Sequence, residues 1–126
     1  MTETLAKVPL EFQEQCNLIK WCHAHKDKRL RLIYSHTNGA RMARGVANKL
    51  KASGAKAGIP DLFLPIPIGD YHGLYIELKR IKGSTTSPIQ KRWLALLLEQ
   101  GYQAVVCFGA KDAQVIISNY LTEIDK

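Results

Sequence analysis

The sequence predicts an α/β fold: a mixed sheet of about four strands flanked by helices, in the order α-β-α-β-β-α-β-α. Segments with apolar residues at helical spacing alternate along the chain with short runs of branched or alternating apolar residues. Glycine, proline and Asn-Gly signals separate these segments, so most elements have a stop of their own. The length of 126 residues, with 46% hydrophobic and 23% charged, suits one domain (1–126) able to bury a core, and excludes wholesale disorder.

The first helix begins near Pro9. Leu10, Glu14, Leu18, Trp21 and Cys22 form its stripe, flanked by Glu11 and Ile19, and it ends by Lys26 to Lys28. Leu30 to His36 alternates and reads as a strand. Thr37-Asn38-Gly39 is a turn signal, Arg41 to Ser53 a basic helix, and Gly54 its stop. The loop Ala55 to Pro60 leads through Asp61 into a strand, Leu62 to Leu64, which Pro65 and Pro67 shorten. Gly69 to Gly73 is a turn, and Leu74 to Arg80 returns as the second arm of a hairpin. After a polar loop, Ser87-Pro88-Ile89-Gln90 opens a helix with Ser at the N-cap, Pro at N1 and Gln at N3; it runs to Gln100, before Gly101. Gln103 to Phe108 is an apolar strand expected at the centre of the sheet. Ala110 to Leu121 reads as a closing helix, although Val115-Ile116-Ile117 is also compatible with strand.

The chemistry gathers on this hairpin. Side chains alternate along a strand, so Glu77 and Lys79 share one face while Leu78 points into the core. Asp61 opens the facing strand, where pairing brings its carboxylate beside that of Glu77. Two carboxylates about 5 Å apart repel by roughly 3 kcal/mol at an effective dielectric near 20, so they need a cation. A hard divalent ion such as Mg²⁺ or Mn²⁺ suits oxygen ligands, with the Leu78 carbonyl as a third donor. A carboxylate-held ion that acidifies water, beside a lysine that stabilises developing charge, suits phosphodiester hydrolysis. Either half alone is ordinary: Pro-Asp often starts a strand, and Glu-x-Lys is a common solvated face.

The formal net charge of +7, from 18 Lys and Arg against 11 Asp and Glu, favours a polyanionic partner. Three cysteines, Cys16, Cys22 and Cys107, cannot all pair within one chain, which points to a reducing compartment. Met1 to Pro9 contains Glu3 and has no apolar signal region, and no apolar run approaches the roughly 20 residues that span a bilayer; a soluble cytoplasmic protein is expected. Cys16, Cys22, His23 and His25 fall on one helix with no second ligand pair at finger or ribbon spacing, so they do not make a structural zinc site. Trp21 and Trp93 read as core residues.

The run Gly58-Ile59-Pro60-Asp61-Leu62, followed by Leu74-Tyr75-Ile76-Glu77-Leu78-Lys79-Arg80, resembles the VRR-NUC branch of the PD-(D/E)XK nucleases. The resemblance continues at Asn38-Gly39-Ala40-Arg41, at Gln90 and at Gly101-Tyr102-Gln103-Ala104-Val105, and spans about Glu11 to Leu121. In size the chain looks like stand-alone versions from phages and prophages, which implies the cytoplasm of a bacterial host. The resemblance implies a restriction-endonuclease-like core, Mg²⁺- or Mn²⁺-dependent DNA cleavage, and a homodimer acting on branched DNA such as four-way (Holliday) junctions. It implies catalytic roles for Asp61, Glu77, Lys79, Gln90 and a first-helix glutamate, with Asp61, Glu77, the Leu78 carbonyl and that glutamate as metal ligands. The family pattern of a glutamate and, four residues on, a glutamine falls on Glu11 and Gln15, with Glu14 as the competing acid. Asn38, Arg41, Arg44 and Lys82 are candidate DNA contacts. The competing reading is a DNA-binding module of the same fold that does not cut.

Overall fold

The computed structural model describes residues 9–36 and 44–122. In chain order the elements are α1 (Glu11–Ala24), a 3₁₀ turn (Lys28–Leu32), β1 (Tyr34–Ser35), α2 (Arg44–Ala52), β2 (Leu62–Leu64), β3 (Leu74–Lys79), α3 (Pro88–Glu99), β4 (Gln103–Phe108) and α4 (Ala110–Leu121). The four strands form one mixed sheet in the order β1-β2-β3-β4. β1, β2 and β3 are antiparallel neighbours, and β4 runs parallel to β3. The predicted class and element order are those observed.

Alternation divides the sheet into two unlike faces. Leu62, Leu64, Leu74, Ile76 and Leu78 are fully buried on one face, in a core with Leu18 and Cys22 of α1 and Ala113 and Ile117 of α4. Phe63, Tyr75, Glu77 and Lys79 occupy the other face. Helix α3 packs along β4, while α1 and α4 pack on each other and on β3. No helix among the described residues is long and apolar enough to cross a membrane.

Three expectations are corrected. Most of Leu30 to His36 is not strand: Asp27 accepts the Arg29 N–H at 3.1 Å and starts a 3₁₀ turn, leaving only Tyr34–Ser35 extended. The buried residues there, Leu30 and Ile33, are three apart, which is the 3₁₀ period rather than the strand period. The preceding helix ends earlier than expected, at Ala24. β4 is an edge strand rather than a central one. Its apolar composition reflects helices packed against it, α3 and α4, and not strands on both sides. The Val115-Ile116-Ile117 run is helical, with Val115 exposed and Ile117 buried. The Thr37 to Gly39 turn lies outside the described residues.

The free edge of β4 is partly closed. The Gln103 and Gly109 amides point inward to the carbonyls of Gly73 and Lys79, so by alternation those of Ala104, Val106 and Phe108 point outward. The first and last of these donate to side chains, Ala104 to Gln103 Oε1 at 3.0 Å and Phe108 to Asp112 Oδ2 at 2.9 Å.

The loop that delivers Asp61 is anchored on α3. Trp93 Nε1 donates to the Ala57 carbonyl at 3.1 Å, and Gly58 sits at φ +86° with no room for a side chain: an added Cβ would lie 3.0 Å from Ile89 and 3.2 Å from Trp93. Gly58→Ala is therefore expected to cost about 1–2 kcal/mol of stability, read as a lower urea midpoint with unchanged slope, together with altered Trp93 fluorescence.

Candidate active site

The site forms where β2 parts from β3. The ladder pairs Leu62 with Ile76, so Pro60 would face Leu78 next. Proline has no N–H and cannot continue the exchange. Instead Asp61 Oδ2 accepts the Leu78 N–H at 3.0 Å, and a carboxylate takes over where the backbone ladder stops. A strand residue's N–H and C=O leave on the same edge, so the Leu78 carbonyl is directed to the Asp61 side, where Pro60 offers no donor. Pro60 itself is fully buried, which fixes the loop beneath Asp61.

Glu77 and Lys79 are among the few buried charged residues described, at 2% and 7% exposure. Lys79 Nζ lies 3.3 Å from Glu77 Oε2 and donates to Gln90 Oε1 at 2.9 Å. Gln90 Nε2 donates to Glu77 Oε2 at 2.9 Å, so one amide bridges both partners of the ion pair. The same Gln90 Oε1 accepts the Ser87 N–H, and Ser87 Oγ accepts the Gln90 N–H at 3.2 Å. The predicted capping box is present, and Gln90 serves it and the ion pair at once. Glu77 Oε1 is buried with no hydrogen-bond partner among the described residues.

The electrostatics follow from this confinement. Burial pushes Glu77 up to about 7, and the Asp61 charge adds to the push, while Lys79 opposes it. Burial also raises Asp61, against the Leu78 N–H and the Lys79 charge that lower it. Two carboxylates thus face one lysine in a desolvated pocket, an excess of negative charge that a bound cation would relieve.

Glu11 stands in the first turn of α1, half-buried, and its charge also contributes to raising Glu77. Gln15 follows one turn later and is half-buried. Glu14 is engaged elsewhere: it is 5% exposed, and its Oε1 accepts the Ala110 N–H at 2.9 Å, capping α4. Sequence reasoning missed this role. The signal was present, since Gly109 at the N-cap of α4 has no side chain to cap with, and some other group must satisfy that helix end. Lys82 is exposed on the loop after β3. Arg44 opens α2, whereas Asn38 and Arg41 lie outside the described residues. Cys22 is fully buried in the core, where burial pushes its thiol up to about 11, and His25 Nδ1 accepts the Asp27 N–H. Among the described residues, no three His, Cys, Asp or Glu side chains come together in a group that could hold a metal ion by themselves.

Raised carboxylates have a thermodynamic signature. The folded protein binds more protons than the unfolded chain between the ordinary glutamate value of 4.5 and about 7, so stability falls as pH rises through that window. Asp61→Asn keeps an acceptor for the Leu78 N–H and keeps the Lys79–Glu77 pair, while removing one charge. In EDTA it is expected to stabilise the protein at pH 8 by about 1 kcal/mol, discounted for solvent screening, and by much less at pH 4, as measured by urea unfolding.

The description "VRR-NUC domain" belongs to the family whose pattern matches residues 2–111. A solved structure described as "VRR_NUC domain protein" superimposes with a TM-score of 0.83 at 33% identity, covering 94% of this chain and 93% of its own. No curated protein matches the chain. With the hairpin carboxylates, the buried lysine and the bridging glutamine in one fold, the chain belongs to the VRR-NUC family of nuclease-type domains.

Proposed function

We propose that this domain is a divalent-metal-dependent endonuclease that hydrolyses phosphodiester bonds in DNA, with branched DNA such as four-way junctions as its substrate. The observation that carries this reading is the convergence of Asp61, Glu77 and Lys79 at a buried point where Glu77 Oε1 accepts no hydrogen bond from the described residues.

The donors present fit Mg²⁺ or Mn²⁺. Asp61, Glu77 and the Leu78 carbonyl offer hard oxygens from one direction, with Glu11 as a further carboxylate at the start of α1. Water would fill the remaining positions, as suits Mg²⁺, which gives up its hydration reluctantly. When bound, such an ion would neutralise charge on the scissile phosphate and make its water more acidic. The protein's own residues supply the rest. Asp61 and Glu77 fix the donor geometry, because one is held by the Leu78 N–H and the other by the Gln90 amide. Lys79 is held between Glu77 and Gln90, in position to orient the attacking water and stabilise the phosphorane-like transition state. Gln90 positions both and is itself held by the first turn of α3. Lys82, and the basic residues Arg41 and Arg44, would steer the phosphate backbone. A homodimer suits a four-way junction, since a two-fold assembly presents two equivalent sites to a two-fold substrate.

End-labelled junction, flap, duplex and single-stranded DNA, incubated with Mg²⁺, Mn²⁺ or EDTA, test the proposal. Cutting is expected with either ion, strongest on the junction, and absent in EDTA. Asp61→Ala is expected to lower the cleavage rate by at least about 100-fold while binding persists; equal cutting by wild type and variant would remove Asp61 from the site. With a backbone-directed interface, log K should fall linearly with log salt; a flat dependence measured by anisotropy would exclude phosphate recognition.

A further inference from the structure

The sheet face that carries Glu77 and Lys79 also carries aromatic rings that the proposed chemistry leaves unused. Tyr34, Phe63 and Tyr75 are cross-strand partners on β1, β2 and β3. Their ring centroids lie 5.9 Å apart from Tyr34 to Phe63 and 4.3 Å from Phe63 to Tyr75. Tyr102 meets Phe63 and Tyr75 edge-on at 5.9 and 5.3 Å, and His72 meets Tyr102 at 5.5 Å. Gly73 makes room for this row, since a Cβ there would lie 2.8 Å from the Phe63 ring.

The row is not a second core. On the opposite face Leu62, Leu64, Leu74 and Ile76 are fully buried, whereas here Tyr34 is 53% exposed, His72 is exposed, and Phe63, Tyr75 and Tyr102 are half-buried. Among the described helices, α3 lies along β4, and none packs broadly over β1 and β2. The tyrosines and the histidine each add a polar tip to an apolar body, a composition suited to a wet surface that takes flat rings. Tyr75 precedes Glu77 by two residues on the same face, about 7 Å along the strand. The row therefore runs continuously into the carboxylate site.

We propose that this aromatic row is a stacking platform for unpaired bases of the DNA strand that enters the site. The proposal rests on the nuclease reading and deepens it: the substrate would be DNA with bases out of the duplex stack beside the scissile phosphate. Stacking on aromatic side chains tolerates any base, which suits an enzyme that selects by structure. The net charge of +7 supplies the general attraction to the phosphate backbone that such a platform needs around it.

The test is binding of a labelled single-stranded oligonucleotide and of a fully paired duplex, by anisotropy in EDTA, to the wild-type protein, Tyr34→Ala and Tyr34→Phe. Tyr34 is largely exposed, so both variants should fold. Tyr34→Ala is expected to weaken single-strand binding roughly fivefold or more, with Tyr34→Phe close to wild type and duplex binding little changed. Equal single-strand affinity in wild type and Tyr34→Ala overturns the platform. So does a change of sedimenting mass in Tyr34→Ala, which would make the row a contact between two copies of the chain. Metal-dependent cutting by the wild-type protein is scored alongside. Its absence, with Tyr34-dependent binding intact, overturns the nuclease reading and leaves the platform standing.

Discussion

The arrangement of this domain depends on how one hairpin ends. The β2–β3 ladder stops because Pro60 cannot donate, and the Asp61 carboxylate takes the amide that the ladder would have used. That single substitution of a side chain for a backbone group places Asp61 beside the face that carries Glu77 and Lys79. It also leaves the Leu78 carbonyl without a ladder donor. The loop before it is held by α3 through Ala57 and Gly58, and α3 also provides Gln90. One helix thus sets both sides of the site.

Charge is concentrated there at a cost to the resting fold. Burial makes both carboxylates harder to ionise, and the lysine offsets only part of their repulsion. A sequence optimised for stability alone would have paired or removed one acid. The observed arrangement keeps a buried oxygen on Glu77 that accepts no hydrogen bond from the described residues, an arrangement more readily understood as readiness for a ligand than as packing. The Gln90 amide holds Glu77 and Lys79 in register without adding charge of its own.

Much of this was legible in the sequence because it depends on local rules. Strand alternation puts Glu77 and Lys79 on one face, and Ser87-Pro88-Ile89-Gln90 announces a capped helix. The parts that were not legible involve long-range choices. An apolar run such as Gln103 to Phe108 has the same composition whether strands flank it or helices cover it, so its edge position was hidden. Leu30 and Ile33 satisfy a strand pattern loosely and a 3₁₀ turn fully, and only the packing around them decides. Glu14 and Glu11 lie within one turn of the same helix. Which of them faces the site is determined by where Gly109 and Ala110 come to rest, 96 residues away for the Glu14–Ala110 bond.

The partly closed edge of β4 bears on how this molecule can meet its own kind. A sheet with open amides on an outer strand invites a second sheet to extend it, and uncontrolled extension is how folded proteins begin to polymerise. Here the two side-chain bonds at Ala104 and Phe108 occupy that strand's outward donors at both ends, and the opposite margin, β1, is only two residues long. Neither margin offers a long template. Assembly of this fold with itself is thereby channelled away from a continuous sheet and towards contacts between side chains, where shape and charge can limit the number of copies that join.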